Sequence, residues 1–190
     1  MASLDAAELL HLGMHASERD DPGKAIGYLK ECLELQPKNA DATYLLGALY
    51  AQIGFYDKAK DTLAHAIDLD SGQSTAVFQL GLLHLTSGAV ELAANVWMRL
   101  DALPAGHCLN LFRRGLLALV RDDFEECVQL LEKGIAANTF NAALNHDMQR
   151  LKASAEGAKE RTLQMQPIDN TAEVAGKGHH LLGNYRQNRH

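Results

Sequence analysis

Positive charge is in short supply: 18 Lys and Arg face 24 Asp and Glu in 190 residues, a formal net charge of −6. The imbalance is local, because residues 1–141 hold 11 basic against 19 acidic side chains and residues 142–190 hold 7 against 5. An acidic body excludes a nucleic-acid footprint, which needs clustered Lys and Arg to displace counterions from phosphates. Long apolar runs are also missing. Nothing approaches the roughly 18 residues that a membrane-spanning helix needs, so no membrane insertion is expected. The opening MASLDAAELLHLG has Asp5 and Glu8 where a secretory signal would carry Lys or Arg. Cysteine is scarce and odd in number, with Cys32, Cys108 and Cys127 forming no C-x-x-C pair. That excludes a disulfide scaffold and predicts a reducing, cytoplasmic setting.

What the sequence does contain is a period. Gly13, Gly47, Gly81 and Gly115 are each separated by thirty-four residues. Twelve residues after each glycine stands a second small residue, Ala25, Ala59, Ala93 or Cys127; four further on comes a large one, Leu29, Leu63, Trp97 or Leu131. Each unit therefore carries two helical patterns, and the physical reading is a helix pair whose glycine lets one backbone approach its partner. The breaks DDPG, IGFYD, TSGA, RDDF and LQPKNAD fall between these patterns. Asp20 or Asp21 before Pro22 predicts a helix start, and Asn39 is a candidate N-cap.

These residues resemble the tetratricopeptide repeat family, whose pattern runs large, Leu-Gly, aromatic, Ala-x-x-x-aromatic and Pro over thirty-four residues. The second unit reads Thr43, Leu46, Gly47, Tyr50, Ala59, Leu63; the first reads Leu9, Leu12, Gly13, Ala16, Ala25, Leu29, Pro37. Arg114 departs from the pattern where leucine is expected, as do His84 and Ala118 where an aromatic is expected. The resemblance implies an all-α fold, a right-handed α-solenoid of helix-turn-helix repeats at about 6–39, 40–73, 74–107 and 108–141. Residues 142–164 keep Leu144, Met148 and Leu151 on one face and predict a C-terminal capping helix. Residues 165–190 lack periodicity and predict a disordered tail.

The resemblance further implies that the first helix of each pair lines an inner groove. Residues three before and one after the glycine lie one turn apart on one helix face. That stripe reads Leu10 and Met14, Tyr44 and Ala48, Phe78 and Leu82, Phe112 and Leu116. It predicts a ladder of apolar anchors for an extended or helical peptide, with Arg113 beside Phe112 to meet a client carboxylate or carbonyl. The bland alternative is that the rings fill space between helices. The basic clamp by which many eukaryotic family members hold a chaperone C-terminus is not matched: in its first register it would need Leu10, Met14, Leu45, Thr75 and Gln79 to be basic residues or asparagine. Leu181, Leu182 and Tyr185 form a second, short apolar motif in the tail.

Catalytic and metal chemistry finds little support. His11 and His15 have the spacing of two metal ligands on a helix, but HLGMH lacks a zinc-protease glutamate, so no metal or cofactor is expected. His107 and Cys108 open a helix, where a thiol pKa can fall, yet no third group orients the histidine. Asp122, Asp123, Glu125 and Glu126 fit the positive end of a helix dipole. The expectation is thus not an enzyme but an interaction module, holding an apolar protein or peptide client as a bacterial assembly or secretion chaperone or adaptor. The alternative is a structural subunit whose apolar face is a permanent interface, through self-association or with another chain.

Overall fold

The computed structural model describes residues 4–164. Among them are nine α-helices and a 3-10 turn, and no strand. The helices are α1 Ala6–Glu18, α2 Pro22–Leu35, α3 Ala40–Gln52, α4 Tyr56–Leu69, α5 Ser74–Thr86, α6 Val90–Trp97, α7 Cys108–Val120, α8 Phe124–Ala137 and α9 Ala142–Gln164. The 3-10 turn, Met98–Ala102, follows α6 directly. Two compact units divide the chain, one ending at Leu83 and the other beginning at His84.

In the first unit α1 packs on α2, α2 on α3, and α3 on α4. The periodic glycines set how closely the pairs approach. A Cβ added to Gly13 would stand 2.9 Å from Leu29 Cγ, and one added to Gly47 would stand 2.9 Å from Leu63 Cγ. Both leucines are fully buried. The joint is therefore a leucine seated on bare backbone, and any side chain at the glycine would push the helices apart.

The second unit repeats that joint between α7 and α8, where a Cβ on Gly115 would lie 3.0 Å from Leu131 Cδ2. A further one is set the other way round. A Cβ on Gly134 of α8 would lie 2.5 Å from the Phe112 ring of α7. The region before α7 is irregular, since α6 has 8 residues where α2, α4 and α8 have 14. Helix α9 packs against α8, burying Met148, Leu151, Ala155 and Ala158.

The turns inside the repeats share a feature that composition alone hides. Asp20, Gly54, Gly88 and Asp122 all have φ between 56° and 86°, and they are spaced by thirty-four residues. In each, the next backbone N–H reaches back to close the preceding helix: Asp21 N to Ala16 O 3.0 Å, Phe55 N to Tyr50 O 2.8 Å, Ala89 N to His84 O 2.9 Å and Asp123 N to Ala118 O 3.0 Å. This is a left-handed C-terminal cap that satisfies otherwise orphaned carbonyls. Glycine takes that conformation freely, whereas aspartate carries strain. Asp21 and Asp123 then cap the following helices with their side chains, while Phe55 and Ala89 do not. Asn39 likewise accepts from Ala42 N at 2.9 Å.

Candidate interaction surface

The predicted stripe lies on α1, α3, α5 and α7, and the structure treats its members differently. On the first unit, α1 neighbours α3. Met14 is 41% exposed, and Leu10, Tyr44 and Ala48 are half-buried. Leu10 leans on the core formed by Leu9, Leu29, Leu46 and Leu49. The Tyr44 hydroxyl accepts from Gln79 Nε2 at 3.4 Å, and burial of the ring raises its pKa. These four residues give the first unit an apolar strip that solvent reaches in part.

The remaining members are not open anchors. Phe78, Phe112 and Leu116 are fully buried and Leu82 is 8% exposed. For Phe112 the cause is explicit: Gly134 offers bare backbone, and the ring lies across it. The ladder expected to face a groove along its whole length therefore gives way, at these four positions, to interior packing. A hydrophobic ring that finds a glycine on the opposing helix gains more by burial than by waiting for a client.

Arg113 is also corrected. Its Nε donates to Asn110 Oδ1 at 2.8 Å, its Nη1 donates to Trp97 O at 2.8 Å, and its Nη2 pairs with Asp101. Asn110 Nδ2 in turn donates to Leu103 O at 3.0 Å and Pro104 O at 3.1 Å. The guanidinium is thus occupied in securing the segment that follows the short α6, where regular helix no longer satisfies the carbonyls. Nothing in the local sequence marks Asn110 and Asp101 as its partners, because their proximity follows from the shortening of α6.

His107 and Cys108 do not form an activated pair. The imidazole Nδ1 accepts from Leu109 N at 3.2 Å and so caps α7, and burial pushes the Cys108 thiol pKa up rather than down. Burial, with a smaller contribution from Asp123, pushes Cys127 up to about 12. Cys32 is raised by burial as well, and its thiol donates to Ala6 O at 3.2 Å. Among the described residues no group of three or more His, Cys, Asp and Glu is gathered for a metal ion. His11 and His15 are both exposed. Leu181, Leu182 and Tyr185 lie outside the described residues.

Helix pairs joined through glycine, closed by left-handed caps and repeated every thirty-four residues define an all-α helical-repeat protein. Residues 16–81 match the family model described as Tetratricopeptide repeat, so that stretch of the chain carries tetratricopeptide repeats. No curated protein sequence matches it. Among solved structures it is similar to MamA from Desulfovibrio magneticus RS-1, with a TM-score of 0.59 and 20% identity over 86% of this chain and 94% of that one. It is similar to YrrB, described as a TPR protein with an unusual peptide-binding site, with a TM-score of 0.57 and 19% identity over 85% and 82% of the two chains. Cut9, in the APC/C hetero-tetramer Cut9-Hcn1, gives a TM-score of 0.71 at 19% identity, covering 85% of this chain and 30% of that one. No helix among the described residues is long and apolar enough to cross a membrane.

Proposed function

We propose that the chain is a non-catalytic interaction module that holds an apolar peptide or helix of a protein client on the strip Leu10, Met14, Tyr44 and Ala48. The observation that carries the reading is the partial exposure of that strip on two adjacent first helices, with Met14 open to solvent and Leu10, Tyr44 and Ala48 half-buried beside it. Phe78, Leu82, Phe112 and Leu116 are interior packing within their own units in this reading, and Arg113 makes no client contact. The tetratricopeptide match supports a protein partner, and the peptide-binding site named for YrrB supports a peptide-sized one. Three buried, unpaired thiols suit a reducing cytoplasm. The role that fits best is an assembly or secretion chaperone, or an adaptor, in a bacterial cell.

The test is affinity capture from the source cells, with partners identified by mass spectrometry, comparing wild type with Met14→Glu/Tyr44→Ala. Both side chains are at least partly exposed, so the variant is expected to fold and to keep its thermal midpoint within about 4 °C. A partner held by wild type and lost by this folded variant is the expected result. Identical partner sets would overturn the assignment of the strip. Light scattering over a dilution series separates the client reading from a permanent oligomer, which alone stays assembled when dilute.

A further inference from the structure

Helix α9 is held to α8 by two different kinds of contact along its length. Near its start, three asparagines tie the hairpin together: Asn138 Nδ2 donates to Asn145 Oδ1 at 2.8 Å, Asn145 Nδ2 donates to Asn138 O at 2.9 Å, and Asn141 Oδ1 accepts from Leu144 N at 2.9 Å. Met148 and Leu151, both essentially buried, follow within two turns. Beyond them the buried side chains shrink to Ala155 and Ala158. Charges also link the two helices over this stretch: Lys152 lies 3.6 Å from Glu132, and Lys159 pairs with Glu125. Both glutamates are more than half exposed.

The pairs fix an antiparallel register in which Glu125, Val128, Glu132 and Ile135 of α8 face Lys159, Ala155, Lys152 and Met148 of α9. Gly157 interrupts the weaker half. A Cβ there would meet only Arg161 Nη1, at 3.6 Å, so no close helix approach requires the glycine. It lowers helix propensity at a point where packing does not repay the loss.

We propose that the part of α9 from Lys152 onward is a releasable latch on α8, held chiefly by charge, and that its release uncovers the α8 stripe Glu125, Val128 and Glu132. The preceding part, anchored by Asn138, Asn145, Met148 and Leu151, stays in place. The inference is independent of the client strip on the first unit. Exposed ion pairs weaken as salt screens them, whereas the burial of Met148 and Leu151 does not. Ionic strength therefore acts on one half of the helix and not on the other.

Hydrogen exchange of the full chain, followed by mass spectrometry at about 20 mM and about 500 mM sodium chloride, tests this. Peptides covering 152–164 should exchange roughly three- to tenfold faster at high salt, with 142–151 and α8 unchanged. Lys152→Gln/Lys159→Gln changes only partly exposed side chains. It should show the fast profile at low salt and lose the salt response. Exchange that is independent of salt, or that accelerates equally along α9 and α8, would overturn the latch. Glu125→Gln/Glu132→Gln supplies the reciprocal variant: it should reproduce the lysine result, and a full salt response in its presence would equally overturn the proposal.

Discussion

The same pattern position has opposite fates along the chain, open in part on α3 and closed at Phe78 and on α7. Three residues before the periodic glycine, Tyr44 of the first unit stays half-exposed, while Phe112 of the second is fully buried. One residue after the glycine, Met14 is 41% exposed and Leu116 is not exposed at all. The periodic glycines themselves behave alike, each taking a leucine against its backbone at Gly13, Gly47 and Gly115. What differs is the opposing helix. Gly134 opens a slot for Phe112, whereas the equivalent position on α4, two periods earlier, is the buried Ala66, whose Cβ occupies that slot's place. A helical stripe thus fixes which residues share a face, but the opposing surface decides whether that face is interior.

The comparison breaks most sharply at Phe112. As an interior ring it should cost about 3–5 kcal/mol when replaced by alanine, through lost burial and the cavity left over Gly134. Tyr44→Ala, at a half-exposed site with one long hydrogen bond, should cost less than half as much. Chemical denaturation of each variant, read by circular dichroism, measures both. Equal costs would mean that Phe112 is no more interior than Tyr44, and the distinction between interior packing and binding strip would fall.

Arg113 gives the next largest effect. Arg113→Ala removes the charged donor to Trp97 O and Asn110 Oδ1 and the pairing with Asp101, and a loss of about 1–3 kcal/mol follows from losing hydrogen bonds to a charged group. The loss should appear as faster hydrogen exchange confined to the segment from Trp97 to Asn110. No such response is expected in α1–α4, whose helix pairs are joined through glycine and leucine. An unchanged segment would show that the guanidinium is not its fastening.

Much of the architecture was legible because glycine and its large partner carry a direct steric meaning at fixed spacing, and because Asn39 and the Asp21–Pro22 step are strong helix-start signals. The left-handed turn was not legible as a periodic feature, since Asp and Gly alternate at it and only φ unites them. The open part of the stripe was readable by position; its closed part was not, because burial of Phe112 depends on Gly134, 22 positions away and outside the repeat pattern. Arg113 read as a groove residue because its sequence neighbours are apolar. Its actual partners are brought to it by the short α6 and the 3-10 turn.

The smallest effect supplies an internal control on the comparison. Asp20 lies in the first unit and Asp122 in the second, yet both occupy the same left-handed turn, with φ of 56° and 59°. Each is followed by an aspartate that caps the next helix, so local chemistry is matched where the stripes are not. Asp20→Gly and Asp122→Gly remove the side-chain strain but give the unfolded chain more freedom, and these terms oppose one another. The net expected at each site is a gain of at most about 1 kcal/mol. Asp20→Gly also removes the acceptor of Gln52 Nε2 at 3.3 Å, which trims its gain. Thermal unfolding of the two variants measures this. Similar small gains would show that turn energetics are set locally in both units, leaving the opposing helix face as the source of their difference; a loss at one site with a gain at the other would place part of that difference in the turns themselves.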